Sequence, residues 1–185
     1  MDFRIAFWNW AFGNAVLSKY PIEHAELVKL PWHSLFETVV VGQKQAIACE
    51  VHHPHGSFQV IGAHLSQRSE PVRVASVKLI LQLAQNSPSP TVFAGDLNSS
   101  PTGFNESAQD SSGQNAIDLL DQSSMLHRWN QTNSSDSSHC TFAANDPKVV
   151  IDWIFIPRAW QFELFHVNDQ QLSDHRLIHA KIRAQ

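Results

Sequence analysis

Pro90-Thr91-Val92-Phe93-Ala94-Gly95-Asp96-Leu97-Asn98-Ser99-Ser100-Pro101 joins an apolar run to an abrupt polar stop. Thr91, Val92 and Phe93 favour a strand, and Gly95-Asp96 followed by Asn98-Ser99-Ser100-Pro101 ends it. A buried strand that ends in a carboxylate and an amide places polar groups at one edge of a sheet, where open α/β folds hold their sites. Asp96 and Asn98 are two positions apart, so they point the same way if the backbone stays extended. A carboxylate and an amide oxygen suit a hard divalent cation, or a phosphate and its attacking water. From this stretch alone the plainer reading leads: an Asx turn, in which both side chains bond only to nearby backbone.

The remaining chain shifts that balance. Its 185 residues allow one domain with a sizeable core. The net charge is −4 with no basic block, which disfavours a protein that wraps duplex nucleic acid but not one that takes a small phosphorylated substrate. Several of the 11 histidines sit in His52-His53-Pro54-His55, which reads as a solvated turn. Cys49 and Cys140 are isolated and make neither a disulfide framework nor a zinc knuckle. No apolar run is long enough to span a membrane, and the start has no signal-peptide pattern, so a cytoplasmic protein is expected.

Outward from the central stretch, Glu70 to Asn86 carries apolar residues at helical spacing, and Phe58 to Leu65 before it reads as a strand closing on His64. Strand, helix and strand in this order lay a helix over a sheet. Gln45 to Val51 is the antiparallel partner of the His64 strand, joined through a turn that reads as longer than two residues. Gly13 to Ser18 and Glu37 to Val41 read as further strands, Phe3 to Trp10 as an irregular aromatic segment and Glu23 to Pro31 as mixed. Ala116 to Leu120 starts a short helix, and Asn130 to Ser138 is a polar loop. Val149 to Ile156 is a central strand interrupted by Asp152, a carboxylate that needs a partner inside a core. Asp174 and His175 precede a closing strand, Leu177 to Ile182.

His64, Asp96, Asn98, Asp174 and His175 thus stand at or beside strand ends, and Asp152 lies within a strand. Taken singly, each has an ordinary structural explanation. Taken together they match what phosphoester chemistry needs. A divalent ion with oxygen ligands offsets charge and stabilises the leaving oxygen. An imidazole takes a proton from water, and a buried carboxylate orients that imidazole. Asp152 is the natural partner of His175, because its burial is otherwise unexplained.

These residues resemble the endonuclease/exonuclease/phosphatase superfamily, the DNase I-like metal-dependent phosphoesterases. Gly95-Asp96-Leu97-Asn98-Ser99-Ser100-Pro101 is similar to the family's most specific motif, and Ser173-Asp174-His175 to its closing motif. Ile151-Asp152-Trp153-Ile154-Phe155, Ala63-His64-Leu65-Ser66 with Glu70 and Arg73, and Gly13 to Ile22 resemble its other segments, in the family's order. The resemblance implies an α/β/β/α sandwich in one domain over 1–185, with the site at one end of two sheets. It implies His175 as general base and Asp152 as its orienting partner. Asp96 would lie near phosphate and water, Asn98 and His64 on the phosphate, and Asp174 at a magnesium or manganese ion. The substrate would carry a phosphate, its identity unspecified.

One departure bears on this. Family members open with a strand ending in Asn, a helix, and a strand ending in Gln-Glu, whose Glu is the principal metal ligand. Only twelve residues precede Gly13 here, so the chain is expected to start inside the domain, with Asn9 as the site Asn if Arg4 to Asn9 is the first strand. Glu23, Glu26, Glu37 and Glu50 are poor substitutes for the metal Glu. Two expectations follow: a homodimer that covers the edge and apolar face left open, and, as the alternative to an enzyme, a non-catalytic module that binds phosphate ligands or a protein.

Overall fold

The computed structural model describes residues 13–31, 44–129 and 138–185. The aromatic segment over 3–10, the strand expected over 37–41 and all but the last residue of the polar loop over 130–138 lie outside the described residues. Elements run β1 (Ile22–Lys29), β2 (Gln45–His53), β3 (Gly56–His64), α1 (Glu70–Asn86), β4 (Thr91–Asp96), α2 (Ala116–Gln122), β5 (Leu126–Arg128), β6 (Asp152–Pro157), β7 (Gln161–Val167) and β8 (Ile178–Arg183). Six strands form one sheet in the order β1-β2-β3-β4-β6-β5, and β7 pairs with β8 in a second.

Alternation along the strands decides which face is buried. Ala46, Ala48, Ile61, Ala63, Phe93, Trp153 and Phe155 pack with Val74, Val77 and Ile80 of α1 and Ile117 and Leu120 of α2 in one core. Phe93 and Phe155 stack at 6.3 Å between ring centroids. Burying a side chain of this size stabilises by about 1.5–3 kcal/mol. Pro71 sits in the first turn of α1, where its missing N–H costs nothing. Asn115 caps α2, its Oδ1 accepting from the Ile117 and Asp118 amides at 2.9 and 3.0 Å.

The other face of the large sheet meets the β7–β8 hairpin. Phe58 meets Trp160 at 5.7 Å and His127 meets Phe162 at 5.6 Å, both edge to face. The described residues therefore form helices, a six-stranded sheet and a two-stranded sheet in sequence of layers. The α/β class expected from the sequence holds, with β3 and β4 parallel across the α1 connection.

Four local expectations change. Residues 13–18 form no regular strand: the Asn14 amide donates to the Gln45 carbonyl at 2.6 Å and Val16 packs over Gly62. The mixed segment after Pro21 is strand β1, with a bulge between Glu23 and Glu26 and almost every side chain exposed. The β2–β3 turn is the two-residue minimum, Pro54-His55, between paired His53 and Gly56. Asp152 opens β6 rather than interrupting it, because Val149 pairs with Phe142 outside the sheet.

Candidate active site at the strand ends

The sheet register brings three site residues into one row. His64 ends β3 opposite Asp96 at the end of β4, and Asp96 faces Asp152 at the start of β6. Parallel pairing on one side of β4 and antiparallel pairing on the other align the carboxyl end of β4 with the amino end of β6. Gly95 permits this approach: it has φ +146°, and a Cβ there would lie 1.9 Å from the Ala63 carbonyl oxygen.

His175 arrives from the segment before β8. The backbone bridge between Phe142 and His175 places its ring against Phe142, with centroids 4.9 Å apart. Its Nδ1 lies 2.8 Å from Asp152 Oδ2, so that nitrogen carries the proton and donates. Nε2 is left as the acceptor, 3.8 Å from Asp96 Oδ2. His64 Nε2 faces the same oxygen at 3.4 Å, buried and without a hydrogen bond of its own. Asp96 Oδ2 is thus the point on which both imidazoles converge.

The Asx turn also forms. The Asn98 amide N–H donates to Asp96 Oδ1 at 2.9 Å, with Asn98 at φ +48°. The Asn98 side-chain nitrogen donates to Asp96 Oδ2 at 3.1 Å and to the Leu65 carbonyl at 3.3 Å. The plain reading and the site reading coincide, because this turn fixes the carboxylate that faces both histidines.

Electrostatics separate the two histidines. Burial alone would lower His175, but its hydrogen bond to Asp152 and the charges of Asp152, Asp96 and Asp174 outweigh it and raise the imidazole above its ordinary value. Burial first, then the charge of Lys44, lower His64 against the pull of Asp96. Burial raises the Asp152 carboxyl, opposed by hydrogen bonds from Thr141 and His175.

Asp96, Asp152 and His175 are the group whose ligand atoms lie within 4.8 Å of one another among the described residues. Two carboxylates and an imidazole around one point, with the His64 Nε2 unpartnered beside them, form a donor set that fits a divalent cation. Asp174 stands apart from this group on the exposed rim; its carbonyl accepts from the Ala144 amide at 2.8 Å, and its charge reaches His175.

Thr141 was not foreseen. It is fully buried, and its Oγ1 accepts from the Ile151 and Asp152 amides at 3.2 and 3.3 Å. Its hydroxyl also works against burial to lower the Asp152 carboxyl. A single threonine between polar loops carries no sequence signal; only the unpaired Asp152 pointed to a missing donor.

A family model described as the endonuclease/exonuclease/phosphatase family matches residues 7–175. The chain belongs to that family.

Solved structures agree on the fold. An endonuclease/exonuclease/phosphatase from Bacteroides vulgatus aligns at TM-score 0.68 and 18% identity, covering 90% of this chain and 67% of that one. D. rerio TDP2 complexed with single-strand DNA product aligns at 0.65 and 14%, covering 88% and 68%. A Bacteroides thetaiotaomicron mannosyl-6-phosphatase aligns at 0.64 and 14%, covering 89% and 67%. No curated protein matches the chain in sequence. This endonuclease/exonuclease/phosphatase chain has the mixed α/β, DNase I-like fold of phosphoesterase- and nuclease-type hydrolases, and spans about two thirds of the length of these solved relatives. None of its helices, among the described residues, is long and apolar enough to cross a membrane.

Proposed function

We propose that the chain hydrolyses phosphoester bonds with help from a divalent metal, His175 being the general base toward water. The single observation that carries this is the 2.8 Å contact of His175 Nδ1 with Asp152 Oδ2. It fixes the tautomer, leaves Nε2 to accept a proton and offsets the charge the ring then gains. Thr141 anchors the backbone of Asp152 by accepting from its amide.

Asp96, the member of the convergent group outside the Asp152–His175 pair, would hold a magnesium or manganese ion, with Asp174 moving in from the rim to join it, leaving Asp152 and His175 to proton chemistry. When bound, the ion supplies charge compensation for the phosphate and the leaving oxygen. His64, lowered toward the neutral form, offers Nε2 to the phosphate side. Asn98 contacts the phosphate by exchanging its 3.3 Å bond to the Leu65 carbonyl. The net charge of −4 favours a small phosphorylated substrate over a long nucleic acid.

Hydrolysis of bis(p-nitrophenyl) phosphate in magnesium or manganese tests this. Asp174→Ala and His175→Ala should each abolish metal-dependent turnover; unchanged rates in both remove the assignment. No metal binding by calorimetry and no turnover by the parent would instead favour a non-catalytic phosphate-binding or interaction module. Pairing of two chains is a separate proposal: light scattering at micromolar concentration supports it with a two-chain mass and removes it with a one-chain mass and a cooperative melt.

A further inference from the structure

We infer that the buried Glu70–Arg73 pair is a positioning device that sets the loop after His64 against the loop that carries Asn98. This rests on the phosphoesterase reading above.

Glu70 and Arg73 are 4% and 7% exposed in the first turn of α1. Arg73 Nε donates to Glu70 Oε2 at 2.6 Å. Arg73 Nη1 donates to the Ser66 carbonyl at 2.7 Å, two residues after His64. Glu70 Oε1 accepts from the Ser99 hydroxyl at 3.1 Å, one residue after Asn98. It also accepts from the Ala116 amide at 2.6 Å, at the start of α2. The Ser99 carbonyl in turn accepts from Trp153 Nε1 at 2.9 Å, beside Asp152. One ion pair therefore reaches both site loops and, through Ser99, the strand that carries Asp152.

Stability alone does not call for this arrangement. Desolvating two charges offsets much of their attraction, and apolar pairs of similar volume are often as stable. Directional bonds are what an apolar pair cannot supply. Here they hold the Ser66 and Ser99 loops in one register, and through them His64 and Asn98.

Two variants of the full chain each cut one tie. Glu70→Gln with Arg73→Met removes the bond to Ser66, leaves no unpaired charge, and keeps an acceptor for Ala116. Ser99→Ala removes the hydroxyl that reaches Glu70. The parent and both variants are compared by melting, by NMR of the His64 imidazole and the Asn98 side-chain amide without substrate, and by metal-loaded kinetics on bis(p-nitrophenyl) phosphate. The double variant should melt within a few degrees of the parent and move the His64 signal more than the Asn98 signal; Ser99→Ala should do the reverse. In both, kcat should fall about 10- to 100-fold with KM within about twofold. A purely structural pair would lower the melting temperature and leave both signals and kcat of the folded protein in place, which overturns the proposal. Ser99→Ala decides alone if the double variant does not fold. A parent without turnover removes the phosphoesterase reading, while the substrate-free signals still decide the positioning.

Discussion

Two groups of histidines stand at opposite ends of the β3 strand, and they differ in what holds them. At the hairpin end, His52 Nε2 lies 3.2 Å from Glu23 Oε2, a carboxylate 58% exposed. His53 leans on the Tyr20 ring at 4.5 Å and on His55 at 5.2 Å. At the other end His64 and His175 face Asp96 and Asp152, which are 16% and 15% exposed. The hairpin group is dense in sequence and local in space. The site group is sparse in sequence and gathered from three strand ends and a distant loop. What separates them is the fixed, largely dehydrated carboxylate: Asp152 holds the His175 tautomer through a hydrogen bond and raises its proton affinity.

The largest break in this comparison should come from His175→Ala. Metal-dependent hydrolysis should drop about 10²- to 10⁴-fold, measured as kcat, whereas His53→Ala leaves it at the parent value. Equal losses in both would erase the distinction between the two ends.

Next in size is Gly95→Ala. The added Cβ meets the Ala63 carbonyl at 1.9 Å in a backbone with φ +146°. Strain and overpacking together should cost about 3 kcal/mol or more in chemical denaturation. Parent-like stability would show that the His64–Asp96 register is softer than the pairing implies.

The pH response sharpens the contrast within the site. In the metal-free protein, NMR titration should place His175 above the ordinary histidine value and His64 below it. Protonated His175 is favoured by folding. Its stabilisation is fully present below the unfolded value, about 6.5, and is lost as pH rises through the elevated folded one. His64 has the opposite sign: its contribution is present above the unfolded value and is lost as pH falls through the lowered folded one. Asp152→Asn should bring His175 down, and an unmoved midpoint there would remove Asp152 as the cause. Turnover should rise with pH through the His175 midpoint, because the base works as the neutral ring.

The smallest effect belongs to the hairpin end. Glu23→Gln breaks an exposed pair and should change unfolding free energy by about 0.5 kcal/mol or less. A loss of several kcal/mol would mean that the hairpin group carries more of the fold than its exposure allows.

Much of this was legible in the residues. The apolar run before Gly95-Asp96 located β4, and the helical spacing from Glu70 to Asn86 matched α1. The unexplained burial of Asp152 pointed to His175, and the structure joins them. Other elements had no readable pattern. β1 is an edge strand whose exposed charged residues give no alternation. A register shift between Phe162 and Leu164 breaks the alternation of β7, and β5 has only three residues. Residues 14–17 look apolar enough for a strand, yet they lie along a cleft of about 460 Å³ beside His64 and Asp96 without pairing to the sheet. Thr141 could not be found, since its role depends on a loop meeting a strand that starts eleven residues later in the chain.

The bulged β1 edge has a consequence for association. A free strand edge is a template on which another chain's strand can dock and on which aggregates grow. Among the described residues β1 is one of the two edges of the large sheet, β5 being the other, and Glu23, Glu26 and Lys29 line it in an exposed run. Its register shift and the positive φ of His24 break the straight ladder a docking strand would need. Sheet extension across this side is therefore disfavoured.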